Sequence, residues 1–305
     1  MNKQESKRAG IFNKYIKNLN FLNKYGFIQS RKNVYLCPIC LNHYTEINTE
    51  NPLTLEDAPP KSLGGKAKTL TCKKCNNECG YKIDSHLVKR MRDLDKPKLL
   101  PDSSIPVEIK IDDEIIRAEM TIDTEGNQKL TTNLKNNNPN ILHDRMKEGK
   151  KIEEITILKE KIKPDNLEYA LLKTAYLMIF EKFGYLFILD KSYDIIREQL
   201  KKPNQRIYPN GFWITQNLPK SYCGCFLLKN KDIKSLTSNF ILDTGKSKTM
   251  FIVQLPLPNL PITISISKKL EQERIMNLEF YPNPNTERDY LYNLDNIKEL
   301  KANIE

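Results

Sequence analysis

Two cysteine pairs constrain this chain more than anything else in it: Cys37-Pro-Ile-Cys40 and Cys72-Lys-Lys-Cys75. Two residues between thiolates let each turn place both sulfurs on one tetrahedral ion, and Zn²⁺ prefers that geometry with soft ligands. Four thiolates leave no open coordination position, so such an ion holds the fold and does no chemistry. The reading requires a reducing compartment. The segment MNKQESKRAG has charges but no apolar stretch of a secretory signal, so the chain is expected in the cytoplasm, or in a nucleus if its host has one. Of the other cysteines, Cys79 reads as a small buried residue, and Cys223 and Cys225 as core packing in the run CGCFLL.

The charge is unevenly spread. Residues 1–100 hold 19 Lys+Arg against 9 Asp+Glu, and the other 205 residues hold 30 against 29. A lysine-rich proteome would inflate both parts alike. The excess therefore points to a polyanionic partner, nucleic acid. Apolar residues at 39% supply enough mass for a core. The longest apolar run, 170–189, is broken by Lys173, Glu181 and Lys182, which argues against a membrane span. No P-loop, dinucleotide glycine motif, Ser/His/Asp constellation or internal repeat is present, so those chemistries are not expected.

The 31 residues between the pairs are too many for a minimal zinc ribbon, so they carry something else. LTLE reads as a short strand, APPKSLGG as a breaker cluster and KTLT as a second strand. A helix is expected to open at Asn76 or Asn77, both good caps, and to run through KIDSHLVKRMRDL. Ile11, Tyr15, Ile16, Leu19, Leu22 and Phe27 predict a further helix before the first cysteine pair. Lysines and arginines at 61, 66, 68, 73, 74, 82, 89, 90 and 92 bracket the strand pair, where phosphates would lie.

Strand, loop, strand, zinc knuckle and helix is the order of a ββα-metal motif. With CPIC, LTLED-APPKSLGG, LTCKKCNNECG and KID, residues 34–92 resemble the HNH endonuclease family, in its branch carrying a four-cysteine zinc. The resemblance implies a metal-dependent endonuclease that hydrolyses phosphodiester bonds in DNA, double-stranded DNA above all, in restriction or antiviral defence. It implies that Glu56 and Asn76 hold one Mg²⁺ or Mn²⁺ ion against the scissile phosphate, and that the residue after Glu56 removes a proton from water. The sequence departs from the family there. Asp57 stands in place of the histidine and Thr69 near the usual middle asparagine. An unperturbed Asp titrates near ~3.9 and His near ~6.5, so Asp57 is the weaker base. Three readings stay open. Asp57 is the base or a second metal ligand; His43, His86 or His143 supplies the base; or cleavage is lost and a zinc-stabilised nucleic-acid-binding protein remains. Asp84, eight residues beyond Asn76 and about 80° round the helix, either approaches the ion or pairs with Lys82 or Arg90.

The fold expected is α+β. Residues 1–100 form the basic HNH-like domain with a structural four-cysteine zinc, and residues 101–305 a mixed α+β domain beyond the linker around Pro97 and Pro101. In the second part VEIKIDDEIIRAEMTID reads as a hairpin, followed by QKLTTNL, and Asp165–Phe183 as a helix. YLFILD, GFWITQ, YCGCFLL, SNFILDT, TMFIVQL, ITISI and MNLEFY read as strands, and YDIIREQLKK as a helix. Tyr208, Phe212 and Trp213 read as a loop packed on the core. This domain is expected to set specificity, to sense a signal, or to pair with a second copy or another protein.

Overall fold

A computed structural model of the chain describes residues 2–132, 135, 138–229, 232–262, 265–273 and 279–304. It is mixed α+β and divides into two compact units. The first comprises Met1–Val88 and Lys163–Glu305, and the second Lys89–Ile162. This differs from the boundary expected at residue 100: the first 88 residues form one unit with the C-terminal 143, and the second unit is an insertion between them.

The first unit opens with helix α1 (Lys3–Lys24), started by a capping box in which the Asn2 side chain accepts from Gln4 N and the Glu5 carboxylate accepts from Asn2 N. Phe12, Tyr15, Leu19 and Leu22 recur at helical spacing and are buried. Strands β1 (Tyr35–Leu36) and β2 (His43–Tyr44) flank the first cysteine pair as a two-stranded ladder. Strands β3 (Leu53–Ala58) and β4 (Lys66–Cys72) form the antiparallel hairpin read from LTLE and KTLT. Helix α2 (Lys73–Cys79) follows, then a wider turn of helix at Gly80–Asp84, then α3 (Ser85–Asp95).

Helix α2 begins three residues before the expected cap. Cys72 is its N-cap and contributes no side-chain cap bond. Its exposed N–H groups are met from elsewhere: Lys73 N donates to the Pro52 carbonyl and Lys74 N to Asn51 Oδ1. A cap supplied by a distant segment leaves no local signature.

The second unit holds the antiparallel sheet β7–β6–β5–β8, from β5 (Ser103–Ile111), β6 (Glu114–Ile122), β7 (Gln128–Thr132) and β8 (Glu154–Ile157). Alternate residues of β5 and β6 are buried, and Leu142 of α4 (Ile141–Lys147) joins them in a core of the unit's own. Residues 133 and 134, the end of the expected strand QKLTTNL, lie outside the described residues.

The chain returns to the first unit with α5 (Pro164–Phe183), one residue longer than expected. This helix is apolar on nearly every side and correspondingly buried. The run YLFILD is not a strand: Tyr185–Ile188 form the short helix α6, turned off α5 at Gly184 (φ 59°). Its residues are buried on all sides, so the run has no periodicity to tell helix from strand. Helix α7 (Asp194–Lys201) matches YDIIREQLKK. An antiparallel sheet, ordered β13–β10–β11–β12–β9, uses β9 (Trp213–Thr215), β10 (Gly224–Lys229), β11 (Lys234–Asp243), β12 (Lys248–Leu255) and β13 (Glu279–Tyr281). Ile266 of the expected strand ITISI begins helix α8 (Ile266–Glu273), while residues 263, 264 and 276–278 lie outside the described ones. Helix α9 (Leu294–Ile304) closes the chain. The Ser238 hydroxyl donates to the Ala175 carbonyl, fastening β11 to α5. Among the described residues no helix is long and apolar enough to cross a membrane.

Candidate active site and metal centre

The four cysteines of the two pairs converge. Their sulfurs all lie within 4.8 Å of one another, and Cys40 Sγ is 3.8 Å from Cys72 Sγ. Tetrahedral Zn–S bonds of about 2.3 Å put sulfurs about 3.8 Å apart, so the donor set fits zinc. The turn at Cys37 has the backbone such a knuckle needs. Leu41, in left-handed conformation (φ 60°), donates to the Cys37 carbonyl, and Cys37 N to the Asn42 carbonyl. Cys72 N points at Cys37 Sγ across 3.4 Å. Cys79 is buried and outside this cluster, its thiol pushed up to about 12 by burial. Cys225 is likewise buried and packs on Ser238 at 3.3 Å, while Cys223 is half-buried.

The knuckle ties down the hairpin that carries the expected site. Glu56 lies opposite Thr69, and the register slips by one residue between Glu56 and Asp57. That bulge separates two adjacent carboxylates: Glu56 is 3% exposed and Asp57 is half-buried. The Asp57 carboxyl is raised above the ordinary range, first by burial and then by the Glu56 charge, against the lowering effect of Lys61 and Lys7. Both lysines are exposed, so Asp57 sits in a basic surround. Asn76 of α2 donates through Nδ2 to Thr54 Oγ1 and to the Leu55 carbonyl, each at 3.0 Å. It therefore clamps the helix onto the strand immediately before Glu56 and keeps Oδ1 for another partner.

Glu56 is engaged on both oxygens. Thr71 Oγ1 donates to Oε2 at 2.8 Å, and the Lys173 ammonium donates to Oε1 at 2.6 Å. The same ammonium donates to Asp84 Oδ2 at 2.6 Å. Lys173 comes from α5 and is 2% exposed. Burial alone would lower its pKa, but Asp84 and Glu56 together hold it above the ordinary lysine value. Burial, against the pull of Lys173, raises Asp84. Among the described residues, Asp84 Oδ1 and the buried hydroxyl of Thr69 have no hydrogen-bond partner.

This arrangement corrects two expectations. Asp84 pairs with Lys173, not with Lys82 or Arg90. Glu56 and Asn76 as placed do not fit an Mg²⁺ or Mn²⁺ ion, which asks for several open oxygens and keeps its waters. The carboxylate is buried, each of its oxygens already takes a donor, and one of those donors is a cation. Of the histidines, His43 is exposed on β2, His86 accepts from Lys163 N at 3.2 Å, and His143 lies on α4 of the second unit. Lys173, with Thr54 and Thr71, was not expected in the site from the sequence; it is the charged one of the three. The only signal for Lys173 is a lysine near the start of the apolar run 170–189, where a cation needs buried partners.

Compared with protein-family models, with curated proteins and with solved structures, the chain finds no match.

Proposed function

We propose that the chain is an HNH-type endonuclease acting on DNA, with residues 37–79 as its nuclease module. The observation carrying this reading is the hairpin and helix, pinned by four convergent thiols, that set Asp57 at a bulge beside the Asn76-bearing helix. Asp57 is the general base. Its raised carboxyl narrows the gap to the proton it must remove, and it sits in the position that a histidine fills in the family. Lys61 and Lys7 attract the phosphate that brings the attacking water within reach of Asp57. The zinc cysteines hold this geometry and take no part in the reaction. A role in restriction or antiviral defence in the cytoplasm, with residues 163–305 selecting the target or a partner, is the family analogy extended to this chain.

One observation favours a second reading, a zinc-stabilised nucleic-acid-binding protein without activity. Lys173 neutralises Glu56, the carboxylate expected to hold the catalytic ion. Nicking of supercoiled plasmid separates the two. Zinc-loaded protein is assayed with Mg²⁺, Mn²⁺ or EDTA, beside Asp57→Ala and Asn76→Ala. Nicking by the wild type that Asp57→Ala abolishes supports the nuclease. Absence of nicking in all three conditions, with salt-sensitive binding to the same DNA, supports the binding protein.

A further inference from the structure

Glu56, Lys173 and Asp84 form a closed set, with an ammonium midway between two carboxylates from different elements. The three come from β3, α5 and the helical turn before α3. Both N–O distances are 2.6 Å, and the lysine and Glu56 side chains are 2% and 4% exposed. Two hydroxyls complete the surround: Thr71 donates to Glu56, and Thr69, directly across the hairpin, has its hydroxyl buried with no hydrogen-bond partner among the described residues. Four of these side chains meet through hydrogen bonds inside the protein, and Thr69 flanks Glu56 in the hairpin register. Their oxygen donors (two carboxylates and two hydroxyls) are those that hard divalent cations select.

We infer that the Lys173 ammonium is the resident cation of this site: it fills the place of a divalent ion between Glu56 and Asp84, so Glu56 ligates no metal while Lys173 is present. Lys173 is then a positioning residue. By drawing Glu56 inward it fixes the bulge that turns Asp57 the other way. Tyr176 lies one turn further along α5 and donates its hydroxyl to the Pro38 carbonyl in the first cysteine pair. One face of α5 therefore holds both the zinc knuckle and the carboxylate pair. The inference takes its importance from the nuclease reading of Glu56, but its test uses no nucleic acid and stands or falls separately.

The test is Mn²⁺ binding to zinc-loaded full-length protein, followed by electron paramagnetic resonance and by calorimetry. Zinc occupies the thiolates, so added Mn²⁺ reports oxygen sites. Glu56→Gln keeps the shape of the side chain and should leave the wild-type Mn²⁺ titration unchanged. Lys173→Met keeps most of the stem and removes the ammonium. It should gain one Mn²⁺ site at least tenfold tighter than any in the wild type, and lose it again in Lys173→Met/Glu56→Gln. Loss of a wild-type Mn²⁺ site in Glu56→Gln overturns the inference, since Glu56 would then ligate metal beside Lys173. So does a folded Lys173→Met that binds no more Mn²⁺ than the wild type. If Lys173→Met folds only with Mn²⁺, the inference is supported. If it does not fold at all, the Glu56→Gln comparison decides.

Discussion

At the scale of single residues, the buried triad and Asp57 set opposite demands. Removing one partner from a buried ion pair leaves an uncompensated charge, a loss of about 3–5 kcal/mol. Lys173→Ala, which strands two carboxylates, should fall in that range by urea denaturation. The triple variant Glu56→Gln/Asp84→Asn/Lys173→Met should regain most of it, because no charge is left behind; a triple variant no better than Lys173→Ala would mean packing, and not charge, set the loss. Asp57 behaves differently. Its folded carboxyl titrates above the unfolded one, so the folded state binds the proton more tightly and loses stability as pH rises from the ordinary carboxylate range through the folded value. Asp57→Asn should stabilise by about 0.5 kcal/mol at most at pH 7, given solvent screening at a half-buried site, and the gain should shrink as pH falls through the folded value into the ordinary carboxylate range. A gain that does not shrink on acidification would exclude the shift. On the proposed nuclease reading, with Asp57 as base, nicking should fall on acidification with a midpoint above ~3.9, and Asp57→His should move that midpoint toward ~6.5. The convergence of the four cysteines was legible from spacing alone. Lys173 was not: its partners lie 117 and 89 residues away, and no pattern in one sequence joins them.

At the scale of elements, the hairpin was legible because its signals are local. LTLE and KTLT have strand composition, and APPKSLGG punctuates them. The start of α2 was not, since Pro52 and Asn51 supply its cap from across the fold. YLFILD failed for the opposite reason, an unbroken apolar run that fits either element. The breaker cluster also contains the tightest backbone approach in the hairpin. A Cβ on Gly65 would stand 1.5 Å from the Pro59 carbonyl oxygen, and Gly65 N donates to the Pro60 carbonyl. The neighbour is backbone and cannot swing aside. Gly65→Ala should therefore destabilise by about 1–3 kcal/mol, through displacement of the β3–β4 turn. Gly10 is the contrast. It lies inside α1 with nothing within 4 Å of its would-be Cβ, so Gly10→Ala should stabilise by about 0.5–1 kcal/mol. Thermal unfolding of the two variants beside the wild type checks both signs. A neutral Gly65→Ala would mean the turn relaxes freely and does not fix the spacing between Asp57 and the second strand.

At the scale of the whole molecule, the division into units recasts the charge argument. Residues 89–162 hold 15 Lys+Arg and 15 Asp+Glu, so the entire net charge of +11 belongs to the first unit. Residues 1–88 contribute 14 against 7 of these, and residues 163–305 contribute 20 against 16. The second unit is thus electrically neutral and has a core of its own, while the four-cysteine cluster, the triad and the excess charge share the other. The charge balance changes at the first crossing, but the insertion was not legible because the chain leaves and re-enters the first unit through α3 and the start of α5, and no local signal joins residues 1–88 to residues 163–305. Zinc should accordingly support one unit and not the other. Binding energy at a structural zinc is folding energy for the segment that closes around it. Hydrogen exchange before and after chelation should show loss of protection over residues 35–79. It should also reach Lys173 and Tyr176 of α5, whose partners sit in the hairpin and the first knuckle. Strands β5 and β6 of the neutral unit should keep theirs. Equal loss in both units would show that the zinc stabilises the chain as a whole, and the insertion would then have to be counted as part of the site's scaffold.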